Sequence, residues 1–253
     1  MNTPSQDGRS RPESKTPTPE RRRRRRARDS LSREVILNAA ETIATRDGLD
    51  GLTFQALGKE LEAHPTSIYR HFRDKDELVL ELIDNLRSRS YGGHYKATDS
   101  WRDDLRSLAH HIHEHYLRYP QFALQMAART TRRPTEFANV EFALDALLRA
   151  GLAKDQAAMF LRVYGNVVRS LSSMEAGFQA LEPEARDRDA LAWQLEYRRL
   201  APEEYPRIAS MSDHLTGIGD PRVFDFVVEL FLDAVESHAA ANRAPESGTD
   251  PVP

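Results

Sequence analysis

The stretch HPTSIYRHFRDKDELV, residues 64–79, crowds hydroxyls, a phenol, an imidazole and cations into four helical turns. Thr66, Ser67, Tyr69, Arg70 and His71, with Lys75 just beyond, are the side-chain types that donate to phosphate oxygens and base edges of a nucleic acid. At helical period Ile68 and Phe72 fall on the opposite side and anchor the segment. An ordinary solvated helix face has the same composition, so spacing alone leaves the two readings level. HHIHEH, residues 110–115, is a second candidate. His111 and His115 stand four apart, as do His110 and Glu114, and such pairs can chelate zinc. No third ligand follows at matching spacing, so the histidines read as solvated or pocket-edge groups and no metal is expected. His115 borders the stripe of Leu108, Ile112 and Tyr119 and is taken as a polar pocket group. A third set is apolar: Tyr119, Phe122, Met126, Phe137, Phe142, Tyr164, Phe178, Trp193 and Tyr197. These residues can line a ligand cavity between helices or serve as plain core. There is no nucleophile elbow, phosphate loop or His-Glu-x-x-His motif, so neither catalysis nor a cofactor is expected.

The elements that must hold these groups read as helices throughout, since apolar residues recur three and four apart and strand-like alternation is lacking. The fold class is all-α, with about nine to ten helices. Ser32 is the expected N-cap of the first, with Leu31 and Ile36 as a hydrophobic staple and Ile36, Ala39, Ala40, Ile43 and Ala44 inward. Gly48 ends it. Thr53 caps a second, short helix carrying Phe54, Leu57 and Leu61. Pro65 opens a third, where a missing N–H costs nothing. A fourth begins near Asp74 and turns Leu78, Leu82 and Leu86 inward. Two helices joined by a tight turn, the second too short to stand alone, are the arrangement of a helix-turn-helix. Beyond a joint near residue 90, helices are expected from Trp101 to Pro120, over 121–128, 135–150, 156–181 and 187–200, and from Pro221 to about Ala240.

Charge is distributed unevenly. The chain has 253 residues and a net charge of −3, yet residues 1–29 carry +6, including RRRRRRAR from Arg21 to Arg28, which leaves −9 for the rest. Residues 30–90 hold eight bases against eleven acids. A block of like charge is commonly disordered and commonly meets a polyanion; the alternative is a solvated tail. Arg21, Arg22, Arg23 and Arg24 are candidate DNA contacts of such an arm. The absence of cysteine excludes disulfides, thiolate metal sites and cysteine nucleophiles. With no apolar stretch near the roughly 18 residues of a membrane span, the chain reads as a soluble cytoplasmic protein. The expected divisions are a disordered basic arm (1–29), a helix-turn-helix domain (30–90), a ligand-binding and dimerisation domain (91–240) and a disordered tail (241–253).

In the second half, Phe160, Tyr164, Val167, Leu171, Met174 and Phe178 run beside Leu161, Val168 and Ser172. The last helix likewise carries two apolar stripes. Faces this broad are buried on more than one side, in a central core helix or against a second copy through the helices of 156–181 and 221–240.

Ala39–Ala40 and DGLDGLTFQALGKELEAHPTSIYRHFRDKDELV, with its IYRHF centre and Lys75, resemble the DNA-binding domain of the tetracycline-repressor (TetR) family over residues 32–79. WRDDLRSLAHHIHEHYLRYP, LLRAGLAKDQA, EEYPRIAS and FDFVVELFLDAV resemble that family's C-terminal ligand domain more loosely. The resemblance implies that Thr53 and Gln55 touch backbone or base, and that Pro65, Thr66 and Ser67 lie over base edges in the major groove. It implies that Tyr69, His71 and Lys75 hold phosphates and that Arg70 does either. It further implies a homodimer on a palindromic double-stranded operator, released by a small-molecule effector. Two positions depart from the family pattern: Glu62, where a glycine is usual in the turn, and His64, near which the family usually has a small hydroxyl residue. A ligand-binding scaffold with a degenerate DNA head, or an all-α metal-dependent enzyme, are the alternative functions.

Overall fold

The computed structural model describes residues 31–92 and 95–243. The arginine arm and residues 244–253 of the tail lie outside the described residues. Eleven α-helices and no strand are found among those described. They are α1 (Arg33–Gly51), α2 (Phe54–Glu60), α3 (Pro65–Ile68), α4 (Lys75–Ser90), α5 (Trp101–Arg118), α6 (Ala123–Ala128), α7 (Pro134–Ala150), α8 (Lys154–Gln179), α9 (Pro183–Leu191), α10 (Pro206–Met211) and α11 (Pro221–Arg243).

Local chemistry sets the first boundaries. Ser32 Oγ accepts the Val35 N–H at 3.2 Å, Thr53 Oγ1 accepts that of Ala56 at 3.0 Å, and Asp74 Oδ1 accepts that of Glu77 at 2.8 Å. Each satisfies a donor that the first helical turn leaves unpaired, worth about 1 kcal/mol. Gly48 takes φ 71° and breaks α1 at its last turn, the conformation that a residue without Cβ adopts freely.

The helices enclose two apolar clusters. The first holds Ile36, Ile43, Leu57, Ile68, Phe72 and Leu82, and it continues through Tyr116, Phe122 and Met126. This cluster therefore draws on residues from both sides of position 90. The turn Pro120–Phe122 and α6 dock under α1 and α4, where the Arg87 guanidinium donates to the Met126 carbonyl at 3.1 Å. The second cluster packs Leu105, Leu108, Leu147 and Tyr164 against Phe224, Val228 and Leu232 of α11. At its rim Arg102 and Arg106 of α5 both grip Glu229 of α11, at 2.9 and 2.6 Å. The two guanidinium groups hold the Glu229 carboxyl down at about 2.

The segment between α8 and α11 differs from the expected single helix over 187–200. The chain forms α9, widens at Ala192–Glu196, tightens at Tyr197–Arg199 and then makes the unexpected α10. The apolar residues here, Leu191, Leu195 and Met211, are exposed. They give the segment no buried stripe to hold one regular helix. At the other end α11 continues three residues past Ala240.

Candidate nucleic-acid interface

Four residues make a poor helix alone, so α3 depends on its neighbours. Pro65 occupies its first position, and His64 caps it through Nδ1, which accepts the Thr66 N–H at 3.3 Å. After Ile68 the turns tighten, with the His71 and Phe72 amides both donating to the Ile68 carbonyl at 2.9 and 3.0 Å. Ile68 and Phe72 are fully buried, each contributing about 1.5–3 kcal/mol. The crossing beneath requires Gly58. A Cβ there would stand 2.8 Å from the Ala63 carbonyl oxygen and 3.3 Å from the Pro65 ring. Glu62 closes the turn at φ 48°, a left-handed conformation that costs a residue with Cβ about 1–2 kcal/mol.

The outer flank of this short element is open. Thr66, Tyr69 and Arg70 are exposed, as are Thr53 and Gln55 at the start of α2, while Pro65, Ser67 and His71 are half-buried. Tyr69 keeps a fixed pose despite 58% exposure, because its ring meets Phe54 edge-on at 4.5 Å. Lys75 is exposed, and its Nζ donates to the Leu49 carbonyl at 2.6 Å. One of three ammonium protons is thereby used and two remain. Each of the nine candidate contact residues of the head is thus exposed or half-buried.

Arg33, which sequence reasoning missed, braces that surface from behind. Its guanidinium carbon lies 4.3 Å from the centre of the Phe72 ring. It donates to the His71 carbonyl at 2.5 Å, to Glu77 at 3.0 Å and to Glu81 at 2.7 Å. These partners sit 38 to 48 residues away, so no local pattern announces them. Gly58 was missed too; its signal is a glycine inside a helical window, where it destabilises unless something needs the space.

Ion pairing depletes the positive charge of the head. Of the eight bases in residues 30–90, Arg33, Arg46, Arg73 and Arg89 are paired with carboxylates, and Arg87 is buried. Lys59, Arg70 and Lys75 remain without an acidic partner among the described residues.

The candidate effector residues are only partly gathered. His115, Tyr119, Phe122 and Met126 lie together along the first core. His115 Nδ1 shares a hydrogen bond with Ser90 Oγ at 2.9 Å, and burial pushes the imidazole down to about 3, so the ring is neutral. Its Nε2, the Tyr116 and Tyr95 hydroxyls, Arg87 Nε and Asn139 Oδ1 are buried without a partner among the described residues. Buried polar atoms are normally bonded, and these belong to α4, α5, α7 and the link after α4. Phe142 joins them by stacking on Tyr95 at 4.9 Å. Tyr164 is committed elsewhere, its hydroxyl donating to the Leu105 carbonyl at 2.6 Å. Trp193 stacks on Tyr197 at 4.5 Å, Phe178 abuts Gly219, and Phe137 is exposed on α7. These last three do not share one cavity with His115. The histidine pairs diverge as well: His111 Nδ1 bonds back to the Ser107 carbonyl at 2.7 Å on the solvent side, whereas His115 is buried. Among the described residues no three His, Cys, Asp or Glu are placed to hold a metal ion, and no helix is long and apolar enough to cross a membrane.

Comparison with known proteins agrees with this arrangement. Residues 36–82 match the family model of bacterial regulatory proteins, tetR family, and residues 95–239 match the model of the tetracyclin repressor-like C-terminal domain. An HTH-type transcriptional regulator of Saccharopolyspora erythraea is 30% identical over 179 residues, which is 71% of this chain and 74% of that protein. The HTH-type transcriptional repressor DrrR1 of Streptomyces coeruleorubidus is 27% identical over 225 residues, 85% of this chain and 81% of the relative. Among solved structures, the transcriptional regulator SCO7222, a TetR from Streptomyces coelicolor, superposes with a TM-score of 0.68 at 25% identity over 83% of this chain and 99% of its own. ActR of the same organism, in complex with actinorhodin, shares the fold at 19% identity, with a TM-score of 0.73 over 87% and 99% of the two chains.

Proposed function

The chain belongs to the tetR family of bacterial regulatory proteins and is a DNA-binding transcriptional regulator, and from that premise we propose that it represses from a palindromic operator as a homodimer and leaves it when a small molecule binds. The observation that carries the reading head is the open flank of α3, anchored by Ile68 and Phe72 and braced by Arg33. Thr66 and Ser67 meet base edges, Arg70 meets a base or a phosphate, and Tyr69, His71, Lys75, Thr53 and Gln55 hold the backbone. Phosphate contacts of this kind position the protein and base contacts select the sequence. The two departures from the family pattern are accommodated, since the His64 imidazole caps α3 and Glu62 completes the turn. A degenerate head is therefore the weaker reading.

Dimerisation is supported by apolar residues that the single chain leaves exposed. Met159, Val163 and Met174 form a stripe on α8, and Val223, Phe226 and Leu230 form another on α11. Apolar stripes that stay in water mark interaction surfaces. Paired across a two-fold axis the two helices make a four-helix bundle, which sets two heads about 34–36 Å apart. The effector reading rests on the unpaired polar atoms around His115, and ActR, which shares the fold and was solved in complex with actinorhodin, supports it. An effector that prefers a dimer with mismatched heads shifts the population off DNA. With Lys59, Arg70 and Lys75 as the exposed bases of the head that have no acidic partner among the described residues, the arginines 21–24 supply much of the attraction to phosphate.

Selection of bound sites from random DNA tests the proposal. A palindrome with half-sites one helical turn apart is expected; binding without any selected sequence would end it.

A further inference from the structure

A second cleft lies between α8, the loop at 217–220 and the start of α11. Leu171, Met174, Glu175, Ile218, Val223 and Phe224 bound it, and it encloses about 430 Å³ including its open mouth. Its other acid, Asp220, is tied to the Arg222 guanidinium at 2.5 Å. Among the described residues no guanidinium holds Glu175. Its Oε2 lies 3.3 Å from Nε2 of His113, and the Gln179 amide reaches Oε1 at 3.4 Å.

Hydrogen bonding fixes the tautomer of His113. Ser172 Oγ donates its one proton to the Val168 carbonyl at 2.7 Å. It can then only accept from His113 Nδ1, 3.2 Å away, so Nδ1 carries the hydrogen. Nε2 of the neutral ring therefore presents a lone pair to a carboxylate oxygen. Two acceptors at that distance stay together only with a proton between them. Burial raises the Glu175 carboxyl and lowers the His113 imidazole, so both favour the form in which the pair holds one proton without net charge. The other charged or titratable groups facing the pair are His110 and Glu114 on α5, Asp225 on α11, which lies 3.7 Å from His110, and the Asp220–Arg222 pair at the loop. None is a cation free to satisfy Glu175.

We propose that this cleft binds a small organic amine, with its apolar body against Leu171, Met174 and Phe224 and its ammonium donating to Glu175 in place of the shared proton. One proton leaves the pair for solvent as one cation arrives, so the charge within the cleft is unchanged. The inference rests on the reading of residues 95–239 as an effector-binding domain. It differs from the cluster around His115 in its residues and in the ligand chemistry it takes. Met174 and Val223 also belong to the stripes assigned to the second copy, which would put the mouth at the edge of that interface.

The test is calorimetric titration of the full chain with 2-phenylethylamine, 2-phenylethanol and phenylacetate. The amine should bind at least about tenfold more tightly than the alcohol, the worth of one charge-assisted hydrogen bond, and phenylacetate should bind weakest. Amine affinity should rise with pH until the pair has lost its proton, with a buffer-dependent heat that reports proton release. Glu175→Gln should bring the amine to the level of the alcohol, with an unchanged thermal midpoint showing that the variant folds. Ile218→Trp, at the exposed mouth, should weaken amine and alcohol alike. Equal binding of amine and alcohol, no binding of either, or an amine preference that survives Glu175→Gln overturns the proposal. DNA release is scored separately. Amine binding that leaves DNA bound keeps the site and removes its effector role; release by another compound without amine binding removes the site and keeps the effector domain.

Discussion

Two residues under the recognition element, Gly58 and Glu62, act through backbone geometry and in opposite senses. Gly58→Ala forces a Cβ against the Ala63 carbonyl and should cost about 1–3 kcal/mol, as other overpacked sites do. Glu62→Gly relieves a left-handed residue and should add about 0.5–1 kcal/mol once the extra freedom of the unfolded glycine is set against it. Chemical denaturation of both variants checks the pair, and equal effects of the same sign would contradict the geometry. His115 carries a pH dependence. Its imidazole titrates near 3 in the fold and near 6.5 when free, so the unfolded chain takes up the proton first as pH falls. Stability should be complete above about 6.5 and decline down to about 3. His115→Asn should flatten that part of the thermal-midpoint profile, and parallel profiles would show that the imidazole is not the group responsible.

At the scale of elements, the proposed reading divides the work of binding between the arm and the head. Every neutralised phosphate adds about −0.9 to the slope of log affinity against log salt, and among the described residues the exposed bases of the head without an acidic partner are Lys59, Arg70 and Lys75. Deleting residues 1–29 should therefore weaken binding and flatten the salt slope by several units while leaving sequence preference in place. An unchanged slope would place the arm off the DNA. The same scale shows what a one-dimensional reading can reach. Ser32, Thr53, Pro65 and Asp74 announce the starts of α1 to α4 because a cap acts within three residues of itself, and the buried positions Ile68 and Phe72 follow from period. The brace of Arg33, the close approach at Gly58 and the His113–Glu175 pair join residues far apart in the chain, so no spacing encodes them. From α9 onward the chain is helical over 187–199 as expected. The widened turns at 192–196 and α10 itself escape a sequence reading for a different reason: the apolar residues there are exposed, and helical period is informative only where a face is buried.

In the whole molecule, two exposed stripes and two reading heads have to agree. Charges introduced at Phe226→Glu and Leu230→Glu should give a monomer by sedimentation and lower operator affinity by more than tenfold, because the second head is lost. A dimer that persists would move the interface off α8 and α11. The continuous core from Ile36 through Phe122 to Met126 joins α1 to α5 and α6, and through it a ligand bound near His115, as proposed, would act on the head. What the account requires above all is that the outer flank of α3 reads bases. The direct measurement is the affinity of wild type, Thr66→Ala and Arg70→Ala for the selected operator and for a random duplex of the same length and salt. The expected result is a loss of about 1–3 kcal/mol per substitution on the operator and a much smaller one on the random duplex. Equal losses on the two duplexes, or none on either, would contradict it.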